Sequence, residues 1–156
     1  MVAVVLALGA LLLFSVPAAA ADGQPATGSG TITLTTINFT STRTADGNTF
    51  IEGSGSGTSD GILNGPWTET DQFVIGPDGK VTDLGFGVQN VVGLPCKPAN
   101  GYYHYRLLAS GTSFNTLSGQ LEIIDQAANT VAIQGIFAFT PSGPGQWKYS
   151  GTYRCG

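Results

Sequence analysis

The sequence has little charge, and the charge that it has is not concentrated. Charged residues make up 10% of the 156 residues, against about 25% in an average globular protein. The six Lys and Arg residues are scattered singly, and the formal net charge is −4. Binding to nucleic acid or to anionic lipid needs a basic cluster. We therefore predict no nucleic-acid partner and no electrostatic attachment to a membrane.

Histidine and cysteine are also scarce, with one His and two Cys. A site for a transition metal usually combines several of these side chains, so we predict no metal and no cofactor. The stretch GSGSG (53–57) matches the Gly-x-Ser-x-Gly pattern of hydrolases, but no strand-to-helix turn surrounds it. We interpret the single His104 as a surface strand residue beside Arg106.

Long helical patterns are absent after the first 21 residues, because Gly and Pro interrupt the chain too often. Alternation of polar and apolar residues predicts about eight strands instead. The sequence GPDG (76–79) predicts a tight hairpin connection. This pattern is typical of an all-β fold, an antiparallel barrel or sandwich, and we favour a barrel. The predicted strands are 31–40, 48–54, 66–75, 80–88, 101–110, 119–124, 130–140 and 145–154.

Alternation along the strands also predicts an aromatic interior. We expect Leu84, Phe86 and Val88 to share one face of their strand, and Val131, Ile133, Phe137 and Phe139 to share one face of another. In the strand 101–110, we expect Tyr103 and Tyr105 to face opposite to His104. The candidate ligand-binding residues are Trp67, Phe73, Phe86, Tyr103, Tyr105, Phe137, Trp147 and Tyr149.

Two carboxylates interrupt this aromatic pattern in the stretch WTETD (67–71). On a strand, Glu69 and Asp71 point to the same side as Trp67 and Phe73. If that side is the interior, the pair could act in acid–base chemistry, since buried carboxylates are costly unless paired or functional. The alternative is a bulge after Pro66 or a position at the solvated end of the barrel.

The first 21 residues form an apolar segment that ends in Pro17 and four alanines. We predict a signal peptide cleaved near residues 20–21, followed by a flexible lead-in at 22–30 and a domain at 31–156. The alternative is a retained segment that enters a membrane or packs into a filament. The predicted location is outside the cell or at its surface.

An exported chain with two cysteines predicts a disulfide between Cys96 and Cys155. The bridge would close a loop of 60 residues and tie the last strand to a mid-chain loop. The alternative is a pair of buried free thiols.

One phrase of the sequence occurs twice. GTSDGILNG (57–65) and GTSFNTLSG (111–119) share the opening Gly-Thr-Ser, a leucine at the seventh position and a closing glycine. We predict that each phrase is a strand end, a short turn bounded by glycine and the start of the next strand.

Two resemblances bear on function. GPW (65–67) and GQW (145–147) fit the Gly-x-Trp motif of lipocalins, but neither lies on the first strand, where lipocalins carry it. The stretch GNTFIEGSGSGTSDGILNGPWTETDQFVIGPDGKVTDLGFG (47–87) resembles bacterial secreted proteins with an allene oxide cyclase-like barrel. That resemblance implies an eight-stranded barrel with an apolar cavity, and it transfers no catalytic residue.

Three functions are compatible with these observations. The first is an exported barrel that binds a small apolar or aromatic ligand. The second is a structural or adhesive surface protein that associates with itself. The third is an enzyme of the cyclase or isomerase type that uses Glu69 or Asp71.

Overall fold

The computed structural model describes residues 23–124 and 132–156, and these residues form an all-β barrel. The strands are rich in Thr, Ile, Val and aromatic residues, which suit a pleated and half-buried surface. Within the described ranges the strands are β1 Ala26–Ala45, β2 Asn48–Ser59, β3 Gly65–Ile75, β4 Val81–Val91, β5 Gly101–Gly111, β6 Ser118–Ile123, β7 Ile133–Gly143 and β8 Gln146–Cys155.

Each strand pairs antiparallel with the next one along the chain, and β8 pairs with β1 to close the barrel. The predicted fold class is confirmed. The predicted hairpin at 76–79 is also present: the Asp78 carboxylate accepts a hydrogen bond from the Lys80 amide at 3.0 Å, and Gly79 has a positive φ of 78°. Glycine adopts that conformation without steric cost.

The first strand is twice as long as predicted. β1 begins at Ala26, and its residues pair with β8 from Ala26 opposite Tyr153 onwards. The flexible lead-in predicted at 22–30 is therefore wrong for residues 26–30. This segment consists mostly of small residues, and Gly28 and Ser29 pair with Gly151 and Ser150 of β8. It therefore lacks the alternation of polar and apolar side chains that identifies a strand from sequence alone.

The repeated phrase has the structure predicted for it. In each copy a strand ends, a 3₁₀ turn follows, and the next strand begins. The turns are Gly61–Leu63 and Phe114–Thr116, and the shared leucines, Leu63 and Leu117, are both buried. Because successive strands are antiparallel, the β2–β3 and β5–β6 connections lie at opposite ends of the barrel. Each turn therefore covers one end, which we call the Leu63 end and the Leu117 end.

Hydrogen bonds hold the Leu63 end closed. The Tyr149 hydroxyl accepts from the Leu63 amide at 2.8 Å and donates to the Asp60 carbonyl at 2.6 Å. The Gln89 amide group donates to the carbonyls of Leu63 and Gly65 at 3.0 and 2.8 Å. These bonds satisfy the polar groups of a turn that is folded onto the core.

The predicted disulfide between Cys96 and Cys155 is confirmed. Their Cα atoms are 5.2 Å apart, in the usual range for a bridge, and both residues are buried. The bridge joins the loop between β4 and β5 to the last residue of β8. It therefore fixes the C-terminal strand at the Leu63 end.

Some sequence predictions fall outside the described residues. The apolar segment 1–21, Val131 and the connection at 125–129 are among them. Within residues 23–124 and 132–156, no helix has the length and apolar character required to cross a membrane.

Candidate functional site

The interior of the barrel is filled at one end and hollow at the other. Toward the Leu63 end, Tyr103, Phe137 and Tyr149 pack into the core, with 0%, 0% and 3% of their surfaces exposed. The rings of Phe137 and Tyr149 meet edge to face, with centroids 5.6 Å apart. These side chains form part of the packed core.

A cavity of about 280 Å³ occupies the rest of the interior. Its walls are mostly apolar, and Phe39, Phe73 and Phe114 form a cluster of rings with centroids 5.0–6.1 Å apart. Phe39 is half exposed, so the cavity opens beside it, where β1 extends beyond its pairing with β8. The lining includes Ile32, Leu34, Ile37, Phe39, Trp67, Glu69, Asp71, Phe73, Asp83, Tyr105, Leu107, Ala109, Phe114, Leu121, Phe139 and Trp147.

The eight predicted ligand-binding residues separate into three groups. Four of them line the cavity: Trp67, Phe73, Tyr105 and Trp147. Tyr103, Phe137 and Tyr149 belong to the filled end of the core.

The expectation that Phe86 faces the interior is wrong. Its side chain lies on the outer face of β4 and is 48% exposed, beside a groove that also includes Val88 and His104. The residues of β4 that face inward are Val81, Asp83, Gly85, Gly87, Gln89 and Val91. The large side chains of β3 and β5 fill this part of the interior, so β4 has glycine there and turns its phenylalanine outward.

Glycines flank the inward side chains of β3 on both sides. Gly57, Gly55 and Gly53 of β2 lie opposite Trp67, Glu69 and Asp71. On the other side, Gly87 and Gly85 of β4 lie opposite Glu69 and Asp71. A Cβ at position 57 would lie 2.6 Å from the Trp67 ring, and one at position 87 would overlap the Tyr105 ring. The stretch GSGSG (53–57) therefore makes room for β3 side chains and forms no nucleophile turn.

Both predicted carboxylates, Glu69 and Asp71, face the interior of the barrel. No register flip follows Pro66, because β2 and β3 pair without interruption from Ser59 opposite Gly65 to Thr49 opposite Ile75. The Tyr105 hydroxyl donates a hydrogen bond to the Glu69 carboxylate at 3.0 Å. The pair is thus surrounded by the walls of the cavity.

A third carboxyl group, Asp83 of β4, joins them. It is 8% exposed and lines the same cavity, and it lies opposite Phe73 in the β3–β4 pairing. Asp83 was not predicted, because the apolar alternate positions of β4 (Leu84, Phe86 and Val88) were expected to face the interior. The alternation of Val81, Asp83, Gly85 and Gly87 is the pattern that could have identified this face.

Burial raises the pKa of all three carboxyls. Loss of hydration, together with the charge of Asp71, raises the pKa of Glu69 to about 8, although the Tyr105 hydrogen bond opposes the shift. Burial alone raises the pKa of Asp71 to about 6. Burial and the charge of Asp71 raise the pKa of Asp83 to about 8. All three carboxyls therefore hold their protons to a higher pH than exposed carboxyls do.

Several polar atoms of the site have no hydrogen-bond partner in the described residues. They are Trp67 Nε1, Asp71 Oδ1 and Asp83 Oδ1. An unsatisfied buried polar group costs about 1–3 kcal/mol. The site thus has an indole donor and carboxyl oxygens whose hydrogen bonds are not made within the described residues.

Other kinds of site receive no support. Across residues 23–124 and 132–156, no group of three or more His, Cys, Asp or Glu residues is arranged to hold a metal ion. His104 lies on the outward side of β5, where its ring meets that of Tyr102 edge to face at 5.8 Å. It lines the same outer groove as Phe86, and Glu69 and Tyr105 also border that groove.

No protein-family model matches this sequence, and no curated protein matches it. The resemblance to allene oxide cyclase-like barrels therefore stays a prediction. The cavity and the residues that line it are the observations that bear on function.

Proposed function

We propose that the protein is an exported barrel that binds a small apolar or aromatic molecule in its interior. The observation that carries the proposal is the cavity of about 280 Å³, with a mostly apolar lining and a few inward polar groups. That combination is typical of small-molecule sites. A barrel with no ligand to accommodate could fill this space with side chains, as this one does at its Leu63 end.

Export is the second part of the proposal. The disulfide supports it, because bridges of this kind persist in oxidising compartments. The predicted signal peptide at 1–21 would supply the route, and N-terminal sequencing of the exported protein tests its removal.

A substitution that fills the cavity is expected to prevent ligand binding. Ala109 lines the cavity and is buried, so Ala109→Phe places a ring inside it. We expect the affinity for 2-naphthol, a neutral aromatic probe, to fall at least about tenfold. NMR chemical-shift titration measures the affinity, and the shifts of wild-type residues around the cavity locate the probe.

The matched control is Leu108→Phe at the neighbouring position. Leu108 is 48% exposed on the outer face, so this variant is expected to bind 2-naphthol like the wild type. Equal binding by all three proteins would contradict an interior site.

An enzyme of the isomerase type is the second candidate function, and Glu69 favours it. A carboxyl with a pKa of about 8, held by Tyr105 at the edge of a cavity, suits proton transfer near neutral pH. In that case Glu69→Gln would abolish turnover while leaving 2-naphthol binding intact. A binding protein would instead release its natural ligand chemically unchanged, which mass spectrometry of the eluted ligand tests.

Self-association through a sheet edge is the third candidate. The pairing of β1 with β8 extends to Thr33 opposite Gln146, whereas β1 continues to Ala45 in its pairing with β2. Among the described residues, the far half of β1 therefore has no strand on that side, and this edge could add a strand from another copy. Light scattering on the purified protein tests this, and a stable monomer at high concentration would contradict it.

A further inference from the structure

No Lys or Arg side chain lines the cavity beside the carboxyl cluster of Glu69, Asp71 and Asp83. All six Lys and Arg residues lie in the described ranges, and none of them is among the residues of the cavity. Arg106, which follows the inward Tyr105 on β5, pairs with Glu122 on the outer face. His104 is also on β5 and lies in the outer groove, which Glu69 borders as well. The negative charge of the cluster is thus not balanced by any Lys or Arg side chain in the cavity.

A second and independent observation is the set of buried atoms without partners. Asp71 is 4% exposed, lines the cavity and has an oxygen that accepts no hydrogen bond. Trp67 is 5% exposed, lines the same cavity, and its indole N–H donates to nothing in the described residues. A buried acceptor and a buried donor beside the cavity therefore both lack partners, which a bound molecule could supply once the side chains turn toward it.

We propose that the cavity binds a small organic cation, a protonated amine carried on an apolar or aromatic body. This inference rests on the proposed function, since it names the class of ligand for the same cavity. The ammonium group would pair with the oxygens of Asp71 and Asp83, and the body would pack among the aromatic side chains. A hydroxyl or carbonyl oxygen on the ligand would accept from Trp67 Nε1.

The composition of the walls favours an organic cation over a metal ion. Hard metal ions need six or more oxygen ligands at short distance, whereas the atoms around these carboxyls are mostly those of glycine, leucine and aromatic residues. Aromatic rings attract cations through their π faces, and Trp67, Phe73 and Tyr105 all line the cavity. An amine on an aromatic body uses both the carboxylates and the rings.

The same arrangement predicts how binding depends on pH. Besides the three carboxyls, the titratable groups that face the interior are tyrosines: Tyr103 and Tyr105 from β5, and Tyr149 and Tyr153 from β8. Burial raises the pKa of each, so they stay neutral near pH 7. A bound cation favours the ionised carboxyls, hence binding releases protons and tightens as pH rises. A neutral ligand that accepts hydrogen bonds from protonated carboxyls would show the opposite trend.

Tyramine and its neutral counterpart tyrosol test the proposal directly. The two molecules share a phenol ring and differ in an ammonium group against a hydroxyl. Isothermal titration calorimetry at about pH 5.5 and about pH 8, in two buffers of different ionisation enthalpy, measures affinity and proton release. We expect tyramine to bind at least about tenfold more tightly than tyrosol at the higher pH, with protons released and with weaker binding at the lower pH.

The double variant Asp71→Asn/Asp83→Asn is expected to lose the preference for tyramine while still binding tyrosol. The control is Asp46→Asn, in an exposed turn at a positive φ of 51° that asparagine tolerates, and it should keep the preference. Circular dichroism checks the fold of each variant.

The other outcomes overturn specific claims. Equal binding of tyramine and tyrosol would overturn the cation proposal and leave the ligand-binding function standing. If calcium ions, added as calcium chloride, bind more tightly than tyramine and displace it, the cavity is a metal site and the cation proposal is wrong. Binding of 2-naphthol without binding of tyramine would also overturn the cation proposal. If 2-naphthol, tyramine and tyrosol all fail to bind, the proposed function itself is wrong.

Discussion

Replacing Cys96 and Cys155 together by alanine is expected to lower the free energy of unfolding by about 4 kcal/mol. The bridge closes a loop of 60 residues, and the chain-entropy model assigns about 4 kcal/mol to the restriction of an unfolded loop of this length. Both sulfurs are buried, so the variant also leaves the end of β8 less well packed. Urea unfolding followed by tryptophan fluorescence measures the difference.

Reduced wild-type protein is the matched control for that experiment. It has the same side-chain volume but lacks the covalent link, so its stability should fall close to that of the double alanine variant. Alkylation of the unreduced protein should add no mass, because both sulfurs are in the bridge. Unchanged stability in both the variant and the reduced protein would contradict the role assigned to the bridge.

A second large effect is expected from pH. Asp83 has a pKa of about 8 in the folded chain against an ordinary 3.8, so the folded state holds a proton that the unfolded state releases. The stabilisation that comes from this bound proton is complete below about pH 4 and is lost as pH rises toward 8. For each carboxyl whose pKa is raised by folding, the free energy of unfolding falls by about 1.4 kcal/mol per pH unit between the unfolded and the folded pKa. We therefore expect the barrel to lose stability steadily between about pH 5 and about pH 8.

Asp83→Asn removes one of these groups and should reduce the slope by about 1.4 kcal/mol per pH unit. The variant should be more stable than the wild type at the upper end of the range, where the wild type bears the cost of a buried ionisable group. Asp46→Asn, in the exposed turn between β1 and β2, should leave the slope unchanged. A wild-type stability that rises with pH over this range would contradict the burial of the cluster.

Strand content could be predicted from the sequence because strands and turns have local patterns. The bridge could be predicted because two cysteines in a chain expected to be exported indicate a pair. Alternation in GYYHYRLLAS (101–110) identified the inward Tyr103 and Tyr105, and GPDG (76–79) identified its hairpin. The repeated Gly-Thr-Ser phrase identified two turns. None of these patterns depends on the rest of the chain.

The faces of β4 and the beginning of β1 could not be predicted in this way. Phe86 faces outward because side chains of β3 and β5 occupy the interior beside it. That crowding depends on the pairing register between the strands, which cannot be read from the sequence of β4 alone. For the same reason Asp83 was missed, although Glu69 and Asp71 were identified. The division of the aromatic residues between a filled end and a hollow end also depends on the whole barrel. Side chains of the neighbouring strands determine that Tyr103 lies in the core and that Tyr105 lines the cavity.

A crystal structure of the protein with tyramine at saturating concentration shows whether the cavity binds an organic cation. We expect the ammonium group about 3 Å from a carboxylate oxygen of Asp71 or Asp83, with the phenol ring inside the barrel among Trp67, Phe73 and Tyr105. An empty interior at that concentration, or tyramine bound only in the outer groove beside Phe86, would contradict it.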